Sequence, residues 1–480
     1  MFVFVLLTGL LLHCKPPAGK REESGYEWAS RVASGHPVAV MMTVYRTTML
    51  ADGKDRCMIR IAVTDSAARE ISSARNTIRI YCRGDARILP THTGEELSTG
   101  TDTSGLEFVE KTLQDGLILL SLQAGTHPGI VKVEARSEGL QTGWHEIHTI
   151  PADVILLQPR EDQLVPTSKA IDRMIGADIS FLPEMEAKGK KFYENGTEKD
   201  GLRIFREHGF NYIRLRIFVN PENEHGYSPG KGYCGLEHTL KMAKRVHEAG
   251  MKLLLDFHYS DYWADPQQQN KPAAWAGLDF SSLKDTVRAY TERTLRAFIA
   301  QGTPVNMVQV GNEINHGLLW PDGHISRLEA LSELLKAGTE GVRAADPEIP
   351  VMMHLALGGQ NEEAVFWLNN MIARGLPFDM IGLSYYPGWH GTLDDLFYNL
   401  NDLVTRYNKP VNVVEYSIFP REIHQIVFGL PGDLGKGTCI WEPIIGRGGL
   451  VNRKGEVTGR ILVYDELSRE YLGYRQDDAD

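Results

Sequence analysis

Apolar positions follow two different rhythms along this chain. Between residues 38 and 137, β-branched and aromatic residues alternate partly with polar ones in short runs, over 38–47, 56–65, 76–83, 116–122 and 129–137. Gly, Asp, Ser and Pro clusters separate these runs, so the pattern predicts strands joined by turns and, at that spacing, an antiparallel sandwich. Three prolines within 151–167 mark a linker, and beyond it the rhythm changes. Apolar runs at 175–180, 212–219, 252–259, 307–314, 350–357, 380–386, 411–416 and 438–441 read as buried strands. Stretches with apolar residues at three- and four-residue spacing, 236–249, 282–301, 326–345, 362–374 and 393–407, read as helices between them. This alternation predicts an α/β protein with a (β/α)8 TIM barrel. A doubly wound sheet is the alternative, and the lack of a Gly-rich phosphate loop after the first strand weighs against it. The expected organisation is a leader and linker over 1–25, an all-β sandwich over 26–158 and a barrel over 167–480.

Charge and the N-terminus narrow the setting. A formal net charge of -11 disfavours nucleic acid as a partner, because phosphate binding needs a basic surface. Met1 to Leu12 is almost wholly apolar, too short to span a bilayer, and followed by Cys14 and a polar, Pro-containing stretch. This resembles a bacterial lipoprotein signal with Cys14 as the lipidated residue. Export to the cell surface or periplasm is expected, with membrane contact only through that anchor, and the chain is expected to be a monomer. Cys57, Cys82, Cys234 and Cys439 lack close metal-ligand spacing and read as buried thiols, with a Cys57–Cys82 pairing left open.

Barrel active sites lie at the C-terminal ends of the strands, so polar residues there should converge. Glu313 and Glu415 each close an apolar run, on strands four and seven, which face each other across a barrel mouth. A carboxylate at such a strand end is costly unless solvated, paired or used. Two of them are what glycosidic bond cleavage requires: one attacks the anomeric carbon, and the other, kept protonated, protonates the leaving oxygen. Asn312 is placed to hold a sugar hydroxyl, Arg214 or Arg216 to keep Glu415 ionised, and a strand-six tyrosine, Tyr385 or Tyr386, to orient it. Asp178, Asp256 and His258 divide between substrate contacts and holding the arginines. Trp263, Trp275, Trp320, Trp389 and Trp441 are candidate floors for sugar rings.

Val310-Gly311-Asn312-Glu313-Ile314 with Leu319-Trp320-Pro321 resembles glycoside hydrolase family 53, the endo-β-1,4-galactanases. Gly176-Ala177-Asp178-Ile179-Ser180, Ile213-Arg214-Leu215-Arg216, Asp256-Phe257-His258-Tyr259, Ser384-Tyr385-Tyr386-Pro387, Val413-Val414-Glu415 and Trp441-Glu442-Pro443 agree with it in order. The resemblance implies Glu313 as acid/base, Glu415 as nucleophile, retention of configuration, and β-1,4-galactan of pectic side chains as substrate. Family members usually carry a long loop and helix after strand seven, and bacterial ones a calcium site nearby. Here 417–437 is short and no Asp/Asn cluster of calcium-ligand type appears, so neither calcium nor any other metal or cofactor is expected. The stretch 38–149 resembles immunoglobulin-like domains appended to bacterial glycosidases, and its aromatics Tyr45, Tyr81 and Trp144 read as core or edge residues. Two alternatives share the carboxylate pair or the barrel: another retaining β-glycanase such as a mannanase or glucanase, and a non-catalytic glycan-binding surface protein.

Overall fold

The computed structural model describes residues 31–91, 97–445 and 449–474. The leader with Cys14 and the acidic tail at 477–480 lie outside these. Among the described residues no helix is long and apolar enough to cross a membrane.

The first part is a sandwich of two sheets. One is built around Arg56–Thr64, paired with Ala39–Val44 and Leu117–Ala124; the other runs Thr48–Ala51, Gly143–Pro151, Gly129–Arg136, Thr77–Arg83, Glu107–Thr112 and Ser98–Thr101. Alternating residues such as Ile59, Ile61, Ile78, Ile80, Val131, Val133 and Ile147 are completely or almost completely buried between the sheets, as period-two burial requires. Gly143–Pro151 has no counterpart among the predicted strands: His145 and His148 interrupt its alternation. Cys57 and Cys82 are separate thiols, and burial pushes them up to about 12 and about 11 respectively.

The second part is a closed barrel of eight parallel strands: β1 (Met174–Asp178), β2 (Tyr212–Ile217), β3 (Lys252–Phe257), β4 (Met307–Val310), β5 (Val351–Leu355), β6 (Met380–Tyr385), β7 (Val411–Tyr416) and β8 (Gly435–Trp441). All eight predicted strands are present, and β4 ends earlier than the apolar run suggests because Gly311 takes φ +86°, a left-handed conformation that cannot continue a strand. The segment after β7 holds a helix, Pro420–Phe428, that the sequence reading did not place. Inside the barrel the composition changes with height. Met174, Leu254, Met307, Met352, Met380, Val414 and Cys439 form an apolar lower layer. Two residues further along β1 to β5, the inward positions become Asp178 (past Gly176), Arg214, Asp256, Gln309 and His354, all buried. The period of two therefore carries each strand from a sealing apolar plug to a polar upper layer.

The sandwich is docked on the mouth side of the barrel. Glu363, fully buried in the helix Asn361–Ala373, accepts hydrogen bonds from the Thr47 and Thr48 amides (2.8 and 3.0 Å) and the Thr48 hydroxyl (3.0 Å). His148 stacks on His316 with ring centroids 3.7 Å apart, and the Thr47 hydroxyl lies 3.1 Å from His316 Nε2. Ala39–Val44 and Gly143–Pro151 pack on the short helix Pro387–His390 that follows β6.

Candidate active site

Arg214 organises the floor of the mouth. A guanidinium has five N–H donors, and here four of them make hydrogen bonds and the group also forms an ion pair with Glu415. Nη1 donates to Asp178 Oδ2 (2.8 Å) and forms an ion pair with Glu415 Oε1 (2.8 Å), Nη2 donates to Asp256 Oδ2 (2.8 Å) and Asn312 Oδ1 (2.9 Å), and Nε donates to Gln309 Oε1 (3.3 Å). The side chain is 2% exposed. Burying this cation is tolerable because three carboxyl groups and two amide oxygens surround it. Burial alone would raise Asp256, but Arg214 and His258 hold it below the ordinary carboxylate range.

Glu415 reaches this site through an irregularity. Val411 and Val413 pack outward into the core around the barrel, so strict alternation would send Glu415 outward as well. The register of β6 against β7 slips beyond Leu383, pairing Ser384 with Glu415, and Val414 points into the barrel. This bulge brings the Glu415 carboxylate to the mouth. There Tyr386 Oη donates to its Oε2 at 3.0 Å while Arg214 holds Oε1.

Glu313 lies just past β4 at φ +48°, an uncommon left-handed conformation for a residue with a β-carbon, and such strain clusters at functional sites. It is fixed by a relay of neutral groups. Gln309 Nε2 donates to His354 Nδ1 (3.0 Å), and His354 Nε2 donates to Ser384 Oγ (2.8 Å). Burial drives His354 well below the usual imidazole range, so it stays neutral. The Ser384 hydroxyl lies beside the Glu313 carboxyl and works against the effect of its burial. Burial pushes the Glu313 carboxyl well above the ordinary range, and the neighbouring Glu415 adds to the shift. Burial raises Glu415 too, but Arg214 and the Tyr386 hydroxyl oppose it. The pair is thus separated, with Glu313 the group that keeps its proton.

Both glutamates line a cavity of about 590 Å³ together with Asn312, Trp263, Tyr386, Trp389 and Trp441. Asn312 uses its oxygen on Arg214 and one amide hydrogen on Ala264 O (2.8 Å), leaving its second N–H for a ligand hydroxyl. Arg216 is sandwiched between Phe181 and Trp263, 4.2 Å from each ring centroid, and donates to Glu442 at 2.6 Å, which fixes Trp263 in the wall.

The other predicted site residues lie behind the wall. Asp178, Arg214, Arg216 and Asp256 form the buried network beneath it. His258 accepts from the Ala264 amide at Nδ1 (3.1 Å) and faces Asp256 through Nε2 (3.0 Å), which ties the Trp263 loop to the floor. Tyr385 Oη donates to Gly391 O (3.1 Å), Trp275 packs edge-on against Tyr290, and Trp320 donates to His316 O (2.9 Å) near the sandwich. Sequence reasoning missed Gln309 and Ser384, whose inward position follows from the period of two. It also missed Trp144, His145 and Glu146 of the sandwich, which line the same cavity. Among the described residues, no group of three or more His, Cys, Asp or Glu side chains is placed to hold a metal ion.

Residues 174–442 match the model of glycosyl hydrolase family 53, and residues 40–145 match that of glycoside hydrolase family 2 C-terminal domain 5. An uncharacterized protein of Niallia circulans is 39% identical over 312 residues, covering 56% of this chain and 83% of that protein. The arabinogalactan endo-β-1,4-galactanase of Humicola insolens is 32% identical over 302 residues, covering 56% of this chain and 88% of the enzyme. Among solved structures, the family 53 catalytic domain of Ignisphaera aggregans superposes with a TM-score of 0.57 at 30% identity, covering 65% of this chain and 98% of that domain.

Proposed function

This chain belongs to glycosyl hydrolase family 53, and from that premise we propose that it hydrolyses internal β-1,4-galactosidic bonds of galactan and arabinogalactan with retention of configuration. The observation that carries this reading is the carboxyl pair in one cavity, with Glu313 held protonated and Glu415 held by Arg214 and Tyr386.

In the first step Glu415 attacks the anomeric carbon as Glu313 gives its proton to the leaving oxygen, so the glycosidic bond breaks as the glycosyl–Glu415 ester forms. Glu313, now ionised, takes a proton from water, which attacks the anomeric carbon and releases Glu415. The free Asn312 N–H is suited to the oxygen of the sugar 2-hydroxyl, the position whose hydrogen bonds contribute in the transition state. Trp263 and Trp441, 6.4 Å apart by ring centroids, offer apolar faces to sugar rings.

The pH dependence follows from the signs of the shifts. Activity on galactan falls on the alkaline side as Glu313 loses its proton through a raised pKa, and on the acid side as Glu415 gains one. A Glu313→Gln variant is expected to lose about 10²–10⁴-fold in kcat on galactan and to lose the alkaline limb of its profile. Formation of the glycosyl-enzyme from an aryl galactobioside with a good leaving group, which needs no proton, should suffer far less. A loss of the same size on both substrates would show that Glu313 is not the proton donor.

A further inference from the structure

The strand Gly143–Pro151 belongs to the sandwich, yet its outer face continues the wall of the catalytic cavity. Residues two apart share a face of a strand. Ile147 turns inward into the sandwich core, and His145, its Nε2 3.0 Å from Met42 O, sits on that side at the edge of the cavity. Trp144, Glu146 and His148 turn outward, and they meet three different surroundings. His148 is covered by the barrel, stacked on His316, whereas Glu146 and Trp144 are half-buried and line the cavity that holds Glu313 and Glu415.

Around Trp144 the composition is that of a carbohydrate contact. Lys132 Nζ, on the paired strand, lies 5.0 Å from the indole centroid and 3.8 Å from Glu146 Oε1. An aromatic ring with an ammonium and a carboxylate beside it offers a sugar an apolar platform, donors and acceptors together. On the barrel side of the same cavity, Trp389 exposes 39% of its surface, a large apolar area left at the wall. Its backbone is held, because its carbonyl accepts from Gln360 Nε2 at 2.7 Å. The two tryptophans come from different domains and line one space.

The placement of Trp144 relative to the reacting groups is also fixed. His316 is three residues beyond Glu313 and is clamped by His148 and Thr47, while Glu363 anchors Thr47 and Thr48. A loosely tethered accessory domain would leave such a contact undefined; here the strand bearing Trp144 is stacked, through His148, on the same loop that presents Glu313.

We infer that the N-terminal sandwich supplies a remote sugar-binding subsite of the catalytic cleft, in which Trp144 stacks a galactopyranose unit away from the scissile bond and Glu146 and Lys132 hold its hydroxyls. This rests on the galactanase reading. The subsite engages only chains long enough to reach from the glutamates to Trp144, so its removal penalises the polymer selectively.

The test compares kcat/KM on β-1,4-galactan and on galactotriose for the full-length wild type, Trp144→Ala and Trp144→Phe. Removal of one stacking ring is expected to lower the galactan to galactotriose ratio about tenfold, mainly through KM, and Trp144→Phe should retain most of the ratio. An unchanged ratio in Trp144→Ala overturns the inference, whether both substrates are cleaved normally or both lose equally. A Trp144→Phe variant as impaired as Trp144→Ala also overturns it, since a ring would then not be what the site uses. Failure of the wild type to cleave either substrate overturns the galactanase reading, and the inference with it.

Discussion

A Glu415→Gln variant is expected to lose about 10⁴-fold or more in kcat on galactan, because a nucleophile that forms the covalent intermediate has no substitute in the site. Arg214 and Tyr386 address both carboxylate oxygens of Glu415, and an amide in the same place presents one oxygen and one NH₂ group to two donors. The variant therefore both lacks the attacking oxygen and disturbs its holders. Reducing-end release measures the loss. A truncated Glu415→Ala variant supplies the control: azide can enter the vacated face and attack an aryl galactobioside, expelling the aryl group. The expected product is the α-galactosyl azide, since one inversion occurs in place of two. Wild-type rates in Glu415→Gln would remove Glu415 from the mechanism.

An Arg214→Met variant is expected to lose about 3–5 kcal/mol of unfolding free energy, the scale for leaving buried charges without their partner. Methionine replaces the apolar stem of the side chain and lacks the guanidinium fork, so the change removes the charge and all five donors. Asp178, Asp256 and Glu415 would then face one another with no cation among them, and Asn312 and Gln309 would lose a donor to their side-chain oxygens. Each carboxyl would respond by raising its pKa. A carboxyl whose folded-state pKa is raised weakens the fold as pH climbs through that value. The deficit of the variant against wild type should therefore grow with pH above about 4 and shrink in acid. Denaturant titrations at several pH values test this; a deficit independent of pH would mean that packing, not charge, was lost.

Much of this architecture was legible in the sequence, for reasons visible at particular residues. The barrel strands are continuous apolar runs because both their faces are buried, and such runs stand out against amphipathic helices. Asn312-Glu313 could be placed near a strand end because an apolar run leads directly into an amide and a carboxylate, although the run itself did not show that Gly311 ends the strand. Glu415 was less secure by physics alone. Alternation from Val411 and Val413 points it outward, and only the slip between β6 and β7 reverses this. A bulge leaves no mark in the hydrophobic pattern. The helix Pro420–Phe428 escaped notice although Pro420 occupies a favourable first position and Ile423, Ile426 and Val427 share a buried face.

Division of labour among the polar residues was harder to see. Asp178, Asp256, His258 and Arg214 occupy strand ends as expected, but their polar contacts are largely spent on one another, and composition does not report that. Trp144 was the largest surprise. Within its own domain it reads as an edge residue, and its role depends on docking contacts between residues far apart in sequence, such as His148 on His316. The alternation of Trp144, Glu146 and His148 on one face was the available signal, obscured because His148 is polar and yet buried.

The most direct test is the configuration of the first sugar released when the wild-type chain cleaves β-1,4-galactan, followed by proton NMR before mutarotation. Attack by Glu415 and then by water inverts the anomeric centre twice, so the β-anomer is predicted to form first and the α-anomer to grow in only by mutarotation. An α-anomer formed first, or no new reducing ends from galactan at any pH between about 5 and 8, would contradict a retaining galactanase built on Glu313 and Glu415.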